Sequence, residues 1–257
     1  MKPITTTSPS WENLLKILLV LLFSWTGTSS FAQKKITFPA ADSLSVTADL
    51  YPGNPGDPYM LLFHEEGSSR GEYRDIAPRL VKMGYNCLAV DLRSGKESNY
   101  VSNETARQAG TLTTPPKLTD CLRDIQGAIS WAMEQSKQPV VLLGSSFSAS
   151  LCLLEAARDS MVGAVVAFSP GEFFRPAVSV RDSLKTIRVP VLIAGSKQEY
   201  PYLTELASEI PPAHLTLFVP SRHNGAHGTA SLLSSDPASG DYWLTLLMFF
   251  RNIRKAE

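Results

Sequence analysis

Six short, predominantly apolar runs constrain this sequence more than any other feature. They are 59–63 (YMLLF), 87–90 (CLAV), 140–143 (VVLL), 163–168 (GAVVAF), 191–194 (VLIA) and 215–219 (LTLFV). A strand with one wet face alternates apolar and polar residues, whereas a run apolar at nearly every position is covered on both faces. Between the runs lie stretches with helical spacing. Residues 73–83 place Ile76, Leu80 and Met83 on one side, and 119–135 do the same with Leu122, Ile125, Ile129 and Ala132. The segments 147–158, 201–209 and 236–254 read as further helices, the last with Tyr242, Leu246 and Phe249 on one side. Two early strands, 35–38 and 45–50, flank a turn at 40–43, and the polar stretch 94–116 reads as either a long surface loop or a short excursion over the site. Alternation of this kind predicts an α/β fold: a doubly wound, mostly parallel central sheet with helices on both faces. Function in such sheets gathers at the carboxyl ends of the strands.

Not all 257 residues are expected in that fold. Lys2 and Lys16 precede an apolar run at 17–23, followed by small and polar residues ending in Ser30-Phe31-Ala32. This is the pattern of a secretory signal peptide cut near Ala32. The apolar run is far shorter than the roughly 20 residues a spanning helix needs, so no stable membrane span is expected after cleavage. Residues 33–257 then form a single domain in a periplasmic or extracellular protein. Lys plus Arg number 24 and Asp plus Glu 24, which argues against a nucleic-acid partner. Cys87, Cys121 and Cys152 cannot all pair internally, and Cys87 and Cys152 sit in apolar runs as buried small hydrophobes do.

The strand at 140–143 runs into Gly144-Ser145-Ser146-Phe147-Ser148 and then a helix. A serine at the tip of a strand–turn–helix is lifted clear of the sheet, provided that the residues two before and two after are small. Gly144 and Ser148 meet that need, which makes Ser146 a candidate nucleophile. A serine hydroxyl needs a base within hydrogen-bond reach. His227, in Gly225-Ala226-His227-Gly228, is the favoured base, with His223 as the alternative, because both follow the last strand. His214 precedes that strand and belongs to the wrong end of the sheet. Glu199 is the acid of the loop after 191–194, where a carboxylate would fix the imidazole tautomer. The oxyanion site would take one N–H from Phe147 and another from the loop after 59–63, which reads His64-Glu65-Glu66-Gly67-Ser68-Ser69. No phosphate-binding glycine loop and no H-E-x-x-H zinc motif occurs, so neither cofactor nor metal is expected.

With these pieces in this order, the chain resembles the α/β-hydrolase superfamily, most closely its dienelactone hydrolase-like members without a cap. The resemblance spans nearly all of the chain after residue 32. It rests on the His64 loop, Asp91-Leu92-Arg93, the Gly144–Ser148 turn, Val189-Pro190-Val191 leading to Gly195, and His227-Gly228. It implies Ser146 as nucleophile, His227 as base, Glu199 as acid, and the N–H groups of Phe147 and Glu66 as oxyanion donors. It also leaves Glu65 open for the second donor and Gln198 for the acid position. The final glycine usual in G-x-S-x-G is Ser148 here. Asp91 and Arg93 are expected as a buried structural loop pair.

Only about twenty residues (170–190) separate two strands between which many hydrolases insert a cap. The stretch Gly171-Glu172-Phe173-Phe174 is expected to line an open pocket beside Ser146. The expected activity is hydrolysis of a small-molecule or polymer-attached ester through an acyl-enzyme. The alternatives are a binding protein with a degenerate triad, or a peptidase or acyltransferase on the same fold.

Overall fold

The structure is a computed structural model that describes residues 33–256. The segment read as an export signal, 1–32, lies outside the described residues. Ten strands are β1 (Lys34–Pro39), β2 (Ser45–Tyr51), β3 (Tyr59–Phe63), β4 (Asn86–Val90), β5 (Glu97–Ser98), β6 (Val101–Ser102), β7 (Val140–Ser145), β8 (Val162–Phe168), β9 (Val191–Ala194) and β10 (Leu215–Phe218). The helices are α1 (Ala77–Val81), α2 (Glu104–Ala109), α3 (Cys121–Ser136), α4 (Phe147–Ala156), α5 (Val180–Ser183), α6 (Tyr200–Ala207) and α7 (Ser239–Ala256).

Eight strands form one sheet in the order β1-β2-β4-β3-β7-β8-β9-β10. β2 pairs antiparallel with β1 and β4, and every pairing from β4 to β10 is parallel. The order reverses between β3 and β7, so the ends of these strands open a crevice where ligands bind in sheets of this kind.

The apolar runs divide by the two-residue period of a strand. Leu61, Phe63, Leu88, Val90, Leu142, Val165 and Ile193 face one way and join Ile125 and Ile129 of α3, Leu151 of α4 and Leu203 of α6. Met60, Leu62, Cys87, Ala89, Leu143, Val166 and Leu192 face the other way and pack on Leu80 of α1 and on Tyr242, Leu246 and Phe250 of α7. Cys87, Cys121 and Cys152 are all free and buried. Among the described residues no helix is long and apolar enough to cross a membrane.

Two segments depart from the sequence expectation. The helix expected over 73–83 is split into a 3-10 turn at Arg70–Tyr73 and the short α1, with Pro78 in the first turn of α1. The stretch 94–116 is not a plain loop. It holds the β5–β6 hairpin and α2, whose Asn103 cap accepts from Ala106 N–H at 2.7 Å. Neither has the length over which periodicity becomes readable.

Asp91 and Arg93 are both buried, but they do not pair with one another. Asp91 accepts from the Arg70 backbone at 2.8 Å and pairs with its guanidinium. Arg93 forks onto Asp124 at 2.8 Å and Asp42 at 2.7 Å. Each meets a charged partner from a different part of the chain, Arg70 for Asp91 and Asp42 and Asp124 for Arg93.

Candidate active site

The turn after β7 holds Ser146 at φ 59°, ψ −121°, a left-handed conformation that a non-glycine residue adopts at a cost. The surroundings enforce it. Ser146 N–H donates to the Phe168 carbonyl at 2.8 Å. A Cβ on Gly144 would stand 2.5 Å from the Ala149 nitrogen, so only glycine lets α4 leave the strand at this angle. Ser148 is small enough for the fourth position and also contributes bonds of its own. Its hydroxyl accepts from Ser145 N–H at 2.9 Å and donates to the Phe63 carbonyl at 2.6 Å, tying the turn to the end of β3.

His227 Nε2 lies 2.9 Å from Ser146 Oγ, and its Nδ1 lies 2.6 Å from Glu199 Oε1. With Nδ1–H donating to the carboxylate, Nε2 is left as the acceptor facing the serine. His223 is exposed and is not brought to Ser146, and Gln198 is exposed while Glu199 faces the imidazole. Glu199 Oε2 accepts from Ser196 N–H at 2.7 Å, from Ser196 Oγ at 2.9 Å and from Ser169 Oγ at 2.9 Å. Burial works to raise its pKa, but the bonds from His227, Ser196 and Ser169 outweigh it and hold the carboxyl at about 2. The hydrogen bond to Glu199 raises the His227 pKa, with burial opposing.

The histidine loop is fixed from both sides. Gly228 N–H donates to Ser169 Oγ at 2.9 Å, and Thr229 N–H donates to Ser145 Oγ at 3.1 Å. Gly228 has φ 62°, and a Cβ there would stand 2.5 Å from Ser145 Oγ. Ser169 and Thr229 were not among the residues singled out from the sequence. Ser196 carried a readable sign, since Ser196-x-x-Glu199 is the spacing of a helix capping box, which forms here.

Phe147 opens α4, where its N–H has no partner within the helix. On the facing loop, Glu65 N–H is spent on Glu72 Oε2 at 2.9 Å, so of the two candidates for the second donor only Glu66 keeps its amide free. His64 is buried, with Nδ1 2.7 Å from the Glu65 carbonyl and Nε2 accepting from Leu92 N–H at 3.0 Å. Burial lowers its pKa to about 4, so it stands neutral and pins the loop to the end of β4.

The stretch 171–174 does not line a pocket as a unit. Phe174 is buried in the core, and the Glu172 carboxylate accepts from Val180 and Arg181 N–H at 2.9 and 3.0 Å, capping α5. Of the two rings, Phe173 alone is exposed. The His227 side chain is half exposed, and the β8–β9 connection adds only α5 and a 3-10 turn at Leu184–Thr186.

The pattern of the dienelactone hydrolase family matches residues 49–250. No curated protein matches the chain. Among solved structures, an esterase of Pyrococcus furiosus is similar at 16% identity and a TM-score of 0.63, covering 97% of this chain and 96% of that one. A dienelactone hydrolase of Anabaena variabilis is similar at 18% identity and a TM-score of 0.64, covering 86% and 98%. An α/β hydrolase of a Penicillium species is similar at 12% identity and a TM-score of 0.68, covering 86% and 98%. At these identities the likeness speaks for the fold.

Proposed function

The chain belongs to the dienelactone hydrolase family, and from that premise we propose that it is an exported serine hydrolase cleaving a carboxylic ester through an acyl-enzyme on Ser146. The observation that carries the reading is the continuous chain of contacts from Ser146 Oγ through His227 to Glu199, at 2.9 and 2.6 Å. His227 Nε2 takes the hydroxyl proton as Oγ attacks the ester carbonyl. The resulting imidazolium keeps its Nδ1–H on Glu199, whose depressed pKa keeps it an anion throughout. The N–H groups of Phe147 and Glu66 receive the oxyanion, and the α4 dipole adds to the field at Phe147. His227 then returns its proton to the leaving alkoxide. Water, deprotonated by the same nitrogen, attacks the acyl-enzyme and frees Ser146.

The short β8–β9 connection and the exposed imidazole favour small or polymer-attached esters over long free lipids, because no cap would bury an alkyl chain. Export rests on the pattern of residues 2–32.

The deciding experiment is labelling with a fluorophosphonate. The protein is expected to label, and Ser146→Ala is expected to abolish both labelling and hydrolysis of a short p-nitrophenyl ester. Labelling that survives the substitution would reject the assignment.

A further inference from the structure

Glu72 lies just behind the two loops that meet at Ser146, in the 3-10 turn Arg70–Tyr73. Its Oε2 accepts from Glu65 N–H at 2.9 Å. Its Oε1 accepts from the Thr229 hydroxyl. Every partner is a donor, and an ionised carboxylate is the side chain that only accepts. Each partner also belongs to a working loop. Glu65 immediately precedes Glu66, the second oxyanion donor in the proposed function. Thr229 follows His227 by two residues, and its N–H holds Ser145 Oγ at 3.1 Å, beside the nucleophile.

On that proposed function, we infer that Glu72 is a positioning residue: it locks the loop bearing the second oxyanion donor onto the loop bearing His227, so that donor, base and nucleophile keep one geometry. Three features support this. Turning Glu65 N–H inward onto Glu72 removes it from the site, while the next amide, Glu66 N–H, stays free to donate. Glu72 makes no direct ion pair among the described residues, and its charge reaches His227 only at a distance, as the last of the influences that raise the His227 pKa. Burial pushes its carboxyl up to about 7 against the bonds from Thr229 and Glu65. The donors around the carboxyl oppose that rise and favour its ionised, accepting form. A cavity of about 150 Å³ borders Glu72, Thr229 and Ser68, so water can take the place of a truncated side chain without collapse of the fold.

The test compares Glu72→Ala, Glu72→Gln, Thr229→Val and Thr229→Ser with the unaltered protein. Active sites are first counted by fluorophosphonate titration, and kcat and KM are then measured per titrated site on p-nitrophenyl acetate. Glu72→Ala and Thr229→Val are each expected to lower kcat about 10-fold or more, with KM within about threefold, since misplaced reacting groups slow chemistry more than they weaken binding. Glu72→Ala combined with Thr229→Val is expected to lose little beyond either substitution alone, because both break the same link. Thr229→Ser keeps the hydroxyl and is expected to retain activity. Glu72→Gln can still accept from Glu65 N–H and is expected to fall between the unaltered protein and Glu72→Ala. An unchanged kcat per titrated site in Glu72→Ala, or additive losses in the double variant, would overturn the inference even with Ser146 reactive. An unaltered protein that does not label would instead remove the proposed function, and this inference with it.

Discussion

Ser148 replaces the glycine usual at the end of the nucleophile turn, and its hydroxyl satisfies the buried Ser145 N–H at 2.9 Å. Ser148→Gly is therefore expected to destabilise the protein by about 1–3 kcal/mol, the cost of a buried donor left without its acceptor. Urea unfolding measures it, and an unchanged midpoint would contradict it. Glu199 and His227 form a pair whose pKa values move in opposite directions, down for the acid and up for the base. Glu199, ordinarily at 4.5 and here at about 2, contributes stability above 4.5 that is lost as pH falls toward 2. His227, raised above 6.5, contributes stability below 6.5 that is lost as pH rises through its raised value. The two contributions overlap between those limits. The melting temperature lost in Glu199→Gln is thus expected to be largest near about pH 5.5 and smaller at about pH 9. The rate behaves differently, since catalysis needs neutral His227. Its lower pH limb is expected to move to lower pH in Glu199→Gln, because the first cause of the raised pKa is gone.

Elements here are tied together by buried charge as well as by apolar faces. Arg93, at the end of β4, forks onto Asp124 of α3 and onto Asp42 of the β1–β2 turn, and both Arg93 and Asp124 are buried. Removing the cation alone strands the carboxylate. Arg93→Met is expected to cost about 3–5 kcal/mol, and Arg93→Met with Asp124→Leu to recover much of it. Urea midpoints for the two variants check this, and equal losses would contradict it. Such pairings were out of reach of sequence reasoning, which saw Asp91 and Arg93 as neighbours and made them partners. The long helix α3 was readable because its apolar residues repeat over four turns. The 3-10 turn at 70–73, α1 and the β5–β6 hairpin were not, since each is too short to show a period and each is held by tertiary bonds. Ser69 Oγ on the Val101 carbonyl at 2.6 Å is one such bond.

At the scale of the whole molecule, the sheet domain accounts for the described residues, and the segment before it is proposed as an export signal. If residues 1–32 are removed on export, the protein recovered from the periplasm or medium begins at Gln33. Intact-mass measurement of the secreted protein tests this, and a product retaining the apolar run at 17–23 would contradict it. The sheet spends its length on closing two cores and on bringing the loops after its parallel strands to one end. Little chain is left over the site, in keeping with the 22-residue interval from Ser169 to Pro190 between β8 and β9.

Apolar runs and helical periods were enough for the α/β class, and the small residues flanking Ser146 marked the tight turn, because each depends on local sterics or on burial that repeats along the chain. The oxyanion loop, by contrast, pointed to Glu66 but left Glu65 open, and the acid loop pointed to Glu199 but left Gln198 open. Tertiary contacts set the two members of each pair apart, for one physical reason. Glu72 draws in the Glu65 amide, and the fixed His227 ring meets the carboxylate that Ser196 and Ser169 already hold. Which of two adjacent groups faces inward depends on a partner that arrives from a distant part of the chain, and no local pattern encodes that partner.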